Sequence, residues 1–131
     1  MNNPMTWKYI FLLKAVINWV ESVALLLTDR WIREWLGQPP LTNPEYLHLF
    51  LALVFVIGIG YWWVGNDISH NHGIIKLGIL AQSSVFVVLA YHTLVRSLHP
   101  FYLIPGVIDL TFAILFGLFL YSYGRIKPAL E

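Results

Sequence analysis

The first long apolar segment of this chain carries three polar side chains at helical spacing. Lys14 and Asn18 are four residues apart, and Glu21 follows three residues later. At about 100° per residue, the three side chains fall within about 60° of the circumference of one helix. Ionisable groups at membrane depth are costly, so they normally face the interior of a bundle and mark a functional site. The stripe therefore predicts a polar interior in which Glu21 has a partner on another helix.

A second acid inside an apolar segment is Asp109. Glu21 lies six residues before Leu27, where the first segment ends, and Asp109 lies eight residues after Phe101, where the last segment begins. If the helices alternate in direction, the two carboxyl groups lie about 9 and 12 Å from the same membrane face. Two acids at one level cannot both ionise cheaply. Either Lys14 or a cationic ligand compensates them, or one acid keeps its proton.

The last apolar segment also carries an aromatic stripe. Phe112, Phe116 and Phe119 share a helical face with Asp109. If Asp109 points inward, the stripe forms an apolar wall with a carboxylate at one end, which suits a hydrophobic ligand with a polar or cationic head. Aromatic stripes also occur as plain packing. The predicted ligand-binding residues are Glu21, Asp109, Lys14, Asn18, Phe112 and Phe116.

Two histidines stand near the ends of apolar segments on that same membrane face. His48 and His92 lie on neighbouring segments at matched depth, so together they could hold a haem iron axially. The alternative is that both are interfacial side chains that meet water and lipid head groups. The polar stretch 67–72 carries Asp67, His70 and His72, but its short spacing is more typical of a turn, so no metal site is assigned.

The composition excludes several classes of function. Hydrophobic residues make up 58% of the 131 residues and charged residues only 11%, whereas a soluble domain carries about 25%. The net charge of +1 excludes a strong electrostatic footprint for nucleic acid. The chain has no cysteine, which excludes dithiol redox chemistry, thiolate metal sites and iron–sulfur ligation.

Four apolar segments of membrane-spanning length organise the chain. A helix needs about 20 residues to cross the hydrocarbon core, and only helices or closed barrels satisfy their backbone there. The predicted fold is therefore all-α: one domain, an integral membrane antiparallel four-helix bundle. The predicted helices are residues 7–27, 46–64, 74–95 and 101–123. Gly and Pro mark the breaks, and Asn43-Pro44 is a favourable helix start.

Residues 29–36 lie between the first two helices and place Trp31 and Trp35 on one helical face. We interpret this segment as an interfacial anchor, with a lid over a lateral ligand entrance as the alternative. An even number of spans puts both termini on one side, together with Lys8, Arg125 and Lys127. This bias predicts cytoplasmic termini.

Two stretches resemble the DoxX-like family of small bacterial membrane proteins. The first runs from Asp67 to Gln82 and contains the sequence GIIKLGI at 73–79, and the second is the Asp109 helix with its end at 116–120. Together they cover about half of the chain. The resemblance implies four membrane helices. Members of that family include a subunit of a thiosulfate:quinone oxidoreductase, and many others have no assigned activity, so no catalytic residue is transferred.

These observations predict a small membrane protein that binds an apolar or amphipathic molecule, quinone- or lipid-like, in an accessory rather than a catalytic role. Two alternatives stay open. One is a redox subunit linked to haem b or quinone, with His48 and His92 as haem ligands. The other is a proton-coupled transporter that uses Glu21 and dimerises to enclose its path. The expected partners are membrane lipids and a second copy or a larger membrane complex, with no nucleic acid.

Overall fold

Four long helices make up nearly all of the protein. The computed structural model describes residues 3–131, and no strand occurs within that range. All four helices are long and apolar enough to cross a membrane, which confirms the predicted all-α four-helix architecture. The helices are α1, Pro4–Trp35; α2, Pro44–Asn66; α3, His72–Leu94; and α4, Leu103–Ile126, with 3₁₀ turns at Pro100–Tyr102 and Lys127–Leu130.

Helix α1 is longer than the sequence pattern predicted. It continues without a break to Trp35, so the predicted interfacial segment, apart from its last residue, is the end of α1 rather than a separate element. Its 32 residues span about 48 Å, well beyond the ~30 Å of hydrocarbon. The end of α1 therefore projects past the membrane core. Trp31 and Trp35 are 67% and 74% exposed there, as interfacial anchors are.

The helices pair as two antiparallel hairpins. Helix α1 packs along α2, and α3 packs along α4, while contact between the two hairpins is sparser. Small residues permit the close approaches that membrane packing requires. A Cβ atom at Gly58 would lie 2.8 Å from the indole nitrogen of Trp19, and one at Gly78 would lie 2.8 Å from the Tyr61 ring.

The two halves of the bundle differ in packing density. We name the membrane side that holds both termini and the α2–α3 connection the terminal face, and the opposite side the loop face. An aromatic core closes the interior towards the terminal face. Phe11 lies with its ring centroid 4.6 Å from that of Phe116 and 5.1 Å from that of Phe119, and Trp7 lies 5.5 Å from Phe119. Towards the loop face, two cavities lie between the helices.

Candidate functional site

A buried ion pair joins the two hairpins in the middle of the bundle. The ammonium nitrogen of Lys14 on α1 lies 2.6 Å from a carboxylate oxygen of Asp109 on α4, and the side chains are 1% and 14% exposed. The same ammonium lies 5.6 Å from the ring centroid of Phe112, within the range of a cation–π contact. Lys14 therefore takes its counter-charge from the far hairpin and not from Glu21 on its own helix.

Asn18 binds α1 to α2. Its amide nitrogen donates a hydrogen bond of 3.1 Å to the backbone carbonyl of Val54, and the indole of Trp19 donates one of 3.2 Å to the carbonyl of Phe55. Asn18 is 5% exposed. Polar side chains between membrane helices commonly act as such links. Asn18 therefore has a structural role in the first hairpin, and it also lines the cavity described next.

A small cavity lies beside the ion pair, and we name it the polar cavity. It has a volume of about 40 Å³. Two of its buried wall residues have oxygen atoms without a hydrogen-bond partner in the described part of the chain: Oη of Tyr61 and Oε1 of Gln82. Its lining residues are Lys14, Asn18, Glu21, Val54, Ile57, Tyr61, Ala81, Gln82, Val85 and Asp109.

A second interhelical space, the apolar cavity, adjoins the polar cavity on the side of the loop face. It has a volume of about 160 Å³ and shares Glu21 and Val85 with the polar cavity. Asp29 and Arg33 form a 3.1 Å ion pair on its wall, and the Arg33 guanidinium lies 5.5 Å from the Tyr102 ring centroid. Its other lining residues are Leu25, Leu47, Phe50, Leu89, Leu98, Tyr102 and Pro105.

Glu21 stands at the junction of the two cavities. The expected partner of Glu21 on another helix is not found, because its carboxylate forms neither a hydrogen bond nor an ion pair within residues 3–131. The prediction that another helix supplies a partner for Glu21 was wrong, and the buried ammonium of Lys14 on the same helix is paired with Asp109 instead. Glu21 thus presents to the cavities a carboxyl group that no group in the described part of the chain binds.

Two residues predicted to form a ligand-facing wall are instead packed into the core. Phe112 is 8% exposed and Phe116 is fully buried. Phe116 packs against Tyr61 at a centroid distance of 5.1 Å, and neither phenylalanine lines the polar or the apolar cavity. The aromatic stripe closes the floor beneath the ion pair, and aliphatic residues around Val85 form the walls of the site.

The two histidines predicted as alternative haem ligands do not share a cavity. Both are exposed. His48 lines two open grooves between α1 and α2 on the outside of the bundle. Nδ1 of His92 lies 2.8 Å from Oγ of Ser97 at the end of α3.

The stretch 67–72 forms a turn. Nδ1 of His70 contacts the Asp67 carboxylate at 2.9 Å, while Nε2 of His72 faces the backbone carbonyl of Ile68 at 2.9 Å. Across residues 3–131, no three His, Asp or Glu side chains are grouped so that they could hold a metal ion.

Larger grooves of about 400 and 340 Å³ lie on the outer side of α1 and α2. The interhelical cavities are smaller, and they differ from these grooves in having Lys14, Glu21 and Asp109 in their walls.

Sequence reasoning missed Tyr61 and Gln82 as wall residues. A glutamine in the middle of an apolar helix was the available signal for Gln82, whereas Tyr61 had none that separated it from an interfacial tyrosine. The i,i+4 spacing of Asp29 and Arg33 was a usable signal for the ion pair beside the apolar cavity.

Comparison with protein-family models, with curated proteins and with solved structures gave no match. The class of protein is therefore inferred from the fold and the site alone. Four apolar helices form a multi-pass integral membrane protein, with a charged pair and an unpaired carboxyl group inside the bundle.

Proposed function

We propose that this protein binds a small apolar or amphipathic molecule, quinone- or lipid-like, in the two adjoining interhelical cavities, in an accessory rather than a catalytic role. The observation that carries the proposal is that the apolar cavity and the polar cavity adjoin, with Glu21 and Val85 in the walls of both. A mostly apolar pocket with a few convergent polar groups is the usual form of a small-molecule site.

The lining of the two cavities suits the two parts of such a molecule, its apolar tail and its polar head. An apolar tail fits among the aliphatic residues near the loop face. A polar head reaches Glu21, with Lys14, Asn18 and Asp109 around it. The aromatic core beneath, which includes Phe112 and Phe116, closes the terminal side, so the ligand enters from the loop face or laterally between the hairpins.

A substitution that places a larger side chain in the wall of both cavities tests this proposal. Val85 lines both cavities, while Val88 on the same helix is 54% exposed on the outer surface. The protein is purified in nanodiscs made with lipids of the native host, and co-purifying small molecules are extracted and identified by mass spectrometry. We expect a retained molecule in the wild type and in Val88→Phe and its loss in Val85→Phe. Equal retention in both variants would show that the cavities are not the site.

A proton-coupled transporter is the second candidate, and the unpaired state of Glu21 favours it. A carboxyl group that no protein group binds can exchange a proton when a ligand arrives or leaves. A single bundle of four helices is small for a transport path, so this function requires a second copy of the chain. It predicts pH-dependent substrate flux in liposomes that Glu21→Gln abolishes. A protein that stays monomeric in the bilayer and sustains flux after that substitution contradicts it.

We further propose that the termini are cytoplasmic and that the chain is DoxX-like. Lys8, Arg125 and Lys127 on the terminal face support the orientation, and the stretch 67–82 supports the family. Because the chain has no cysteine, single substitutions Ser69→Cys and Ser97→Cys report the two faces. We expect a membrane-impermeant thiol reagent to label only Cys at position 97 in intact cells. Labelling at position 69 instead would reverse the orientation.

A further inference from the structure

The interior of the bundle holds an unequal number of positive and negative side chains. Lys14 is its one cation in the described range, and Glu21 and Asp109 are its two acids. The ion pair at the wall of the apolar cavity, Asp29 with Arg33, contributes no net charge. With both interior acids ionised, the site therefore has a net charge of −1. Because Lys14 pairs with Asp109, this negative charge lies on Glu21.

Lys14 does not serve as the missing counter-charge. Its ammonium is held 2.6 Å from Asp109 and 5.6 Å from the ring centroid of Phe112. A buried ion pair of this length is hydrogen-bonded and locally neutral. The lysine thus compensates one acid and leaves the second one facing the cavities. The lysine therefore poses no obstacle to a cation bound at Glu21.

The oxygen atoms of the polar cavity that lack a hydrogen-bond partner in the described residues indicate which chemical group of a ligand would fit there. Tyr61 and Gln82 are 1% and 4% exposed, and each has a buried oxygen without a partner. Buried polar atoms are nearly always hydrogen-bonded. Each of these oxygen atoms can accept a hydrogen bond, as can the carboxylate of Glu21, which lines the same cavity. A primary ammonium has three N–H donors to offer such groups.

We propose that the ligand of this site is a primary alkylammonium, whose head occupies the polar cavity at Glu21 and whose tail lies in the apolar cavity. The inference rests on the proposed function and names the ligand class within it. The polar cavity of about 40 Å³ holds a group the size of a few waters, which suits an ammonium head and excludes a trimethylammonium. A carboxylate head would add a third acid to the site.

A matched set of octyl probes tests the proposal. Octylamine, octanol, octanoate and octyltrimethylammonium share one tail and differ only in the head group. Binding is measured by isothermal calorimetry on the full chain in nanodiscs of uncharged lipid, with empty nanodiscs subtracted to remove partitioning. We expect octylamine to bind about tenfold or more tightly than octanol, because a hydrogen bond to a charged group is worth more than a neutral one.

Variants of the cavity wall test which residues cause the preference for octylamine over octanol. Glu21→Gln keeps the size of the side chain, and we expect octylamine affinity to fall to that of octanol while octanol binding persists. Glu34→Gln is the matched control, because Glu34 is exposed at the end of the same helix, and it should retain the preference. If Glu21→Gln does not fold, Tyr61→Phe removes a single hydroxyl and should weaken octylamine binding several-fold without changing octanol binding.

The outcomes separate this inference from the proposed function. Equal binding of octylamine and octanol by the wild type would overturn the ammonium ligand and leave the cavity site standing, as would a preference that survives both Glu21→Gln and Tyr61→Phe. If no probe binds and Val85→Phe retains all co-purifying molecules, both proposals fail together.

Discussion

Breaking the ion pair between Lys14 and Asp109 should be the most damaging polar change in this protein. Lys14→Met leaves Asp109 and Glu21 unpaired beside one cavity, and Asp109→Leu leaves a lysine that is 1% exposed without its carboxylate. The sequence stripe alone would have assigned this coupling to Lys14 and Glu21. The 2.6 Å contact assigns it to Asp109.

The size of the effect follows from burial. Removing one partner of a buried pair costs about 3–5 kcal/mol, and replacing both partners by apolar residues is often nearly neutral. An unpaired charge at the centre of a membrane helix costs about 2.5–3.5 kcal/mol on insertion scales. We therefore expect each single variant to lose about 3 kcal/mol of unfolding free energy. Lys14→Met with Asp109→Leu should lose less than either single change.

The assay is a double-mutant cycle in mixed micelles, with unfolding by sodium dodecyl sulfate followed by circular dichroism. The coupling energy should be at least about 2 kcal/mol. The same cycle on Asp29 and Arg33, an i,i+4 pair within one helix near the loop face, should give a smaller coupling, because its contact is longer, at 3.1 Å, and neither side chain is as deeply buried as Lys14. Lys8→Met is the matched control for loss of a lysine from α1, because Lys8 forms no ion pair within the described residues.

A coupling below about 0.5 kcal/mol between Lys14 and Asp109 would refute this reasoning. Glu21→Gln provides an independent check. Since Glu21 has no protein partner, this substitution should leave stability unchanged or raise it, because an uncompensated charge is removed from the bundle. A loss comparable to that of Lys14→Met would show that Glu21, and not Asp109, is the main partner.

Two further predictions concern packing and use the same unfolding assay. Gly78→Ala should lower the free energy of unfolding by about 1–3 kcal/mol through overpacking, because a Cβ atom at position 78 would lie 2.8 Å from the Tyr61 ring. Gly117→Ala is the control: a Cβ atom there meets nothing within 4 Å, so this change should stabilise the protein by up to about 1 kcal/mol. Phe116→Ala should lower the free energy of unfolding by about 3–5 kcal/mol, because Phe116 is fully buried in the aromatic core. Leu118→Ala is its control and should change stability far less, because Leu118 is 44% exposed. Equal losses within either pair would contradict the packing described above.

The sequence alone was sufficient for the number of helices and for most of their boundaries. Length and hydropathy define a span because the hydrocarbon core has a fixed thickness and every backbone group must be paired inside it. The breaks at Gly37, Asn43-Pro44 and Pro100 lie where the helices end or begin. The extension of α1 to Trp35 was missed, because a helix that leaves the membrane becomes polar and resembles a loop or an interfacial segment.

The sequence also indicated which side chains of the first helix form a polar stripe, but it did not determine their partners. Helices α2, α3 and α4 are apolar on nearly all sides, as is usual where lipid surrounds a bundle, so their hydrophobic pattern does not encode which face turns inward. That rotation, which only tertiary packing determines, brings Asp109 to Lys14 and buries Phe116 against Phe11 and Tyr61. It leaves Glu21 alone between two cavities, because a side chain has a partner only where a neighbouring helix presents one.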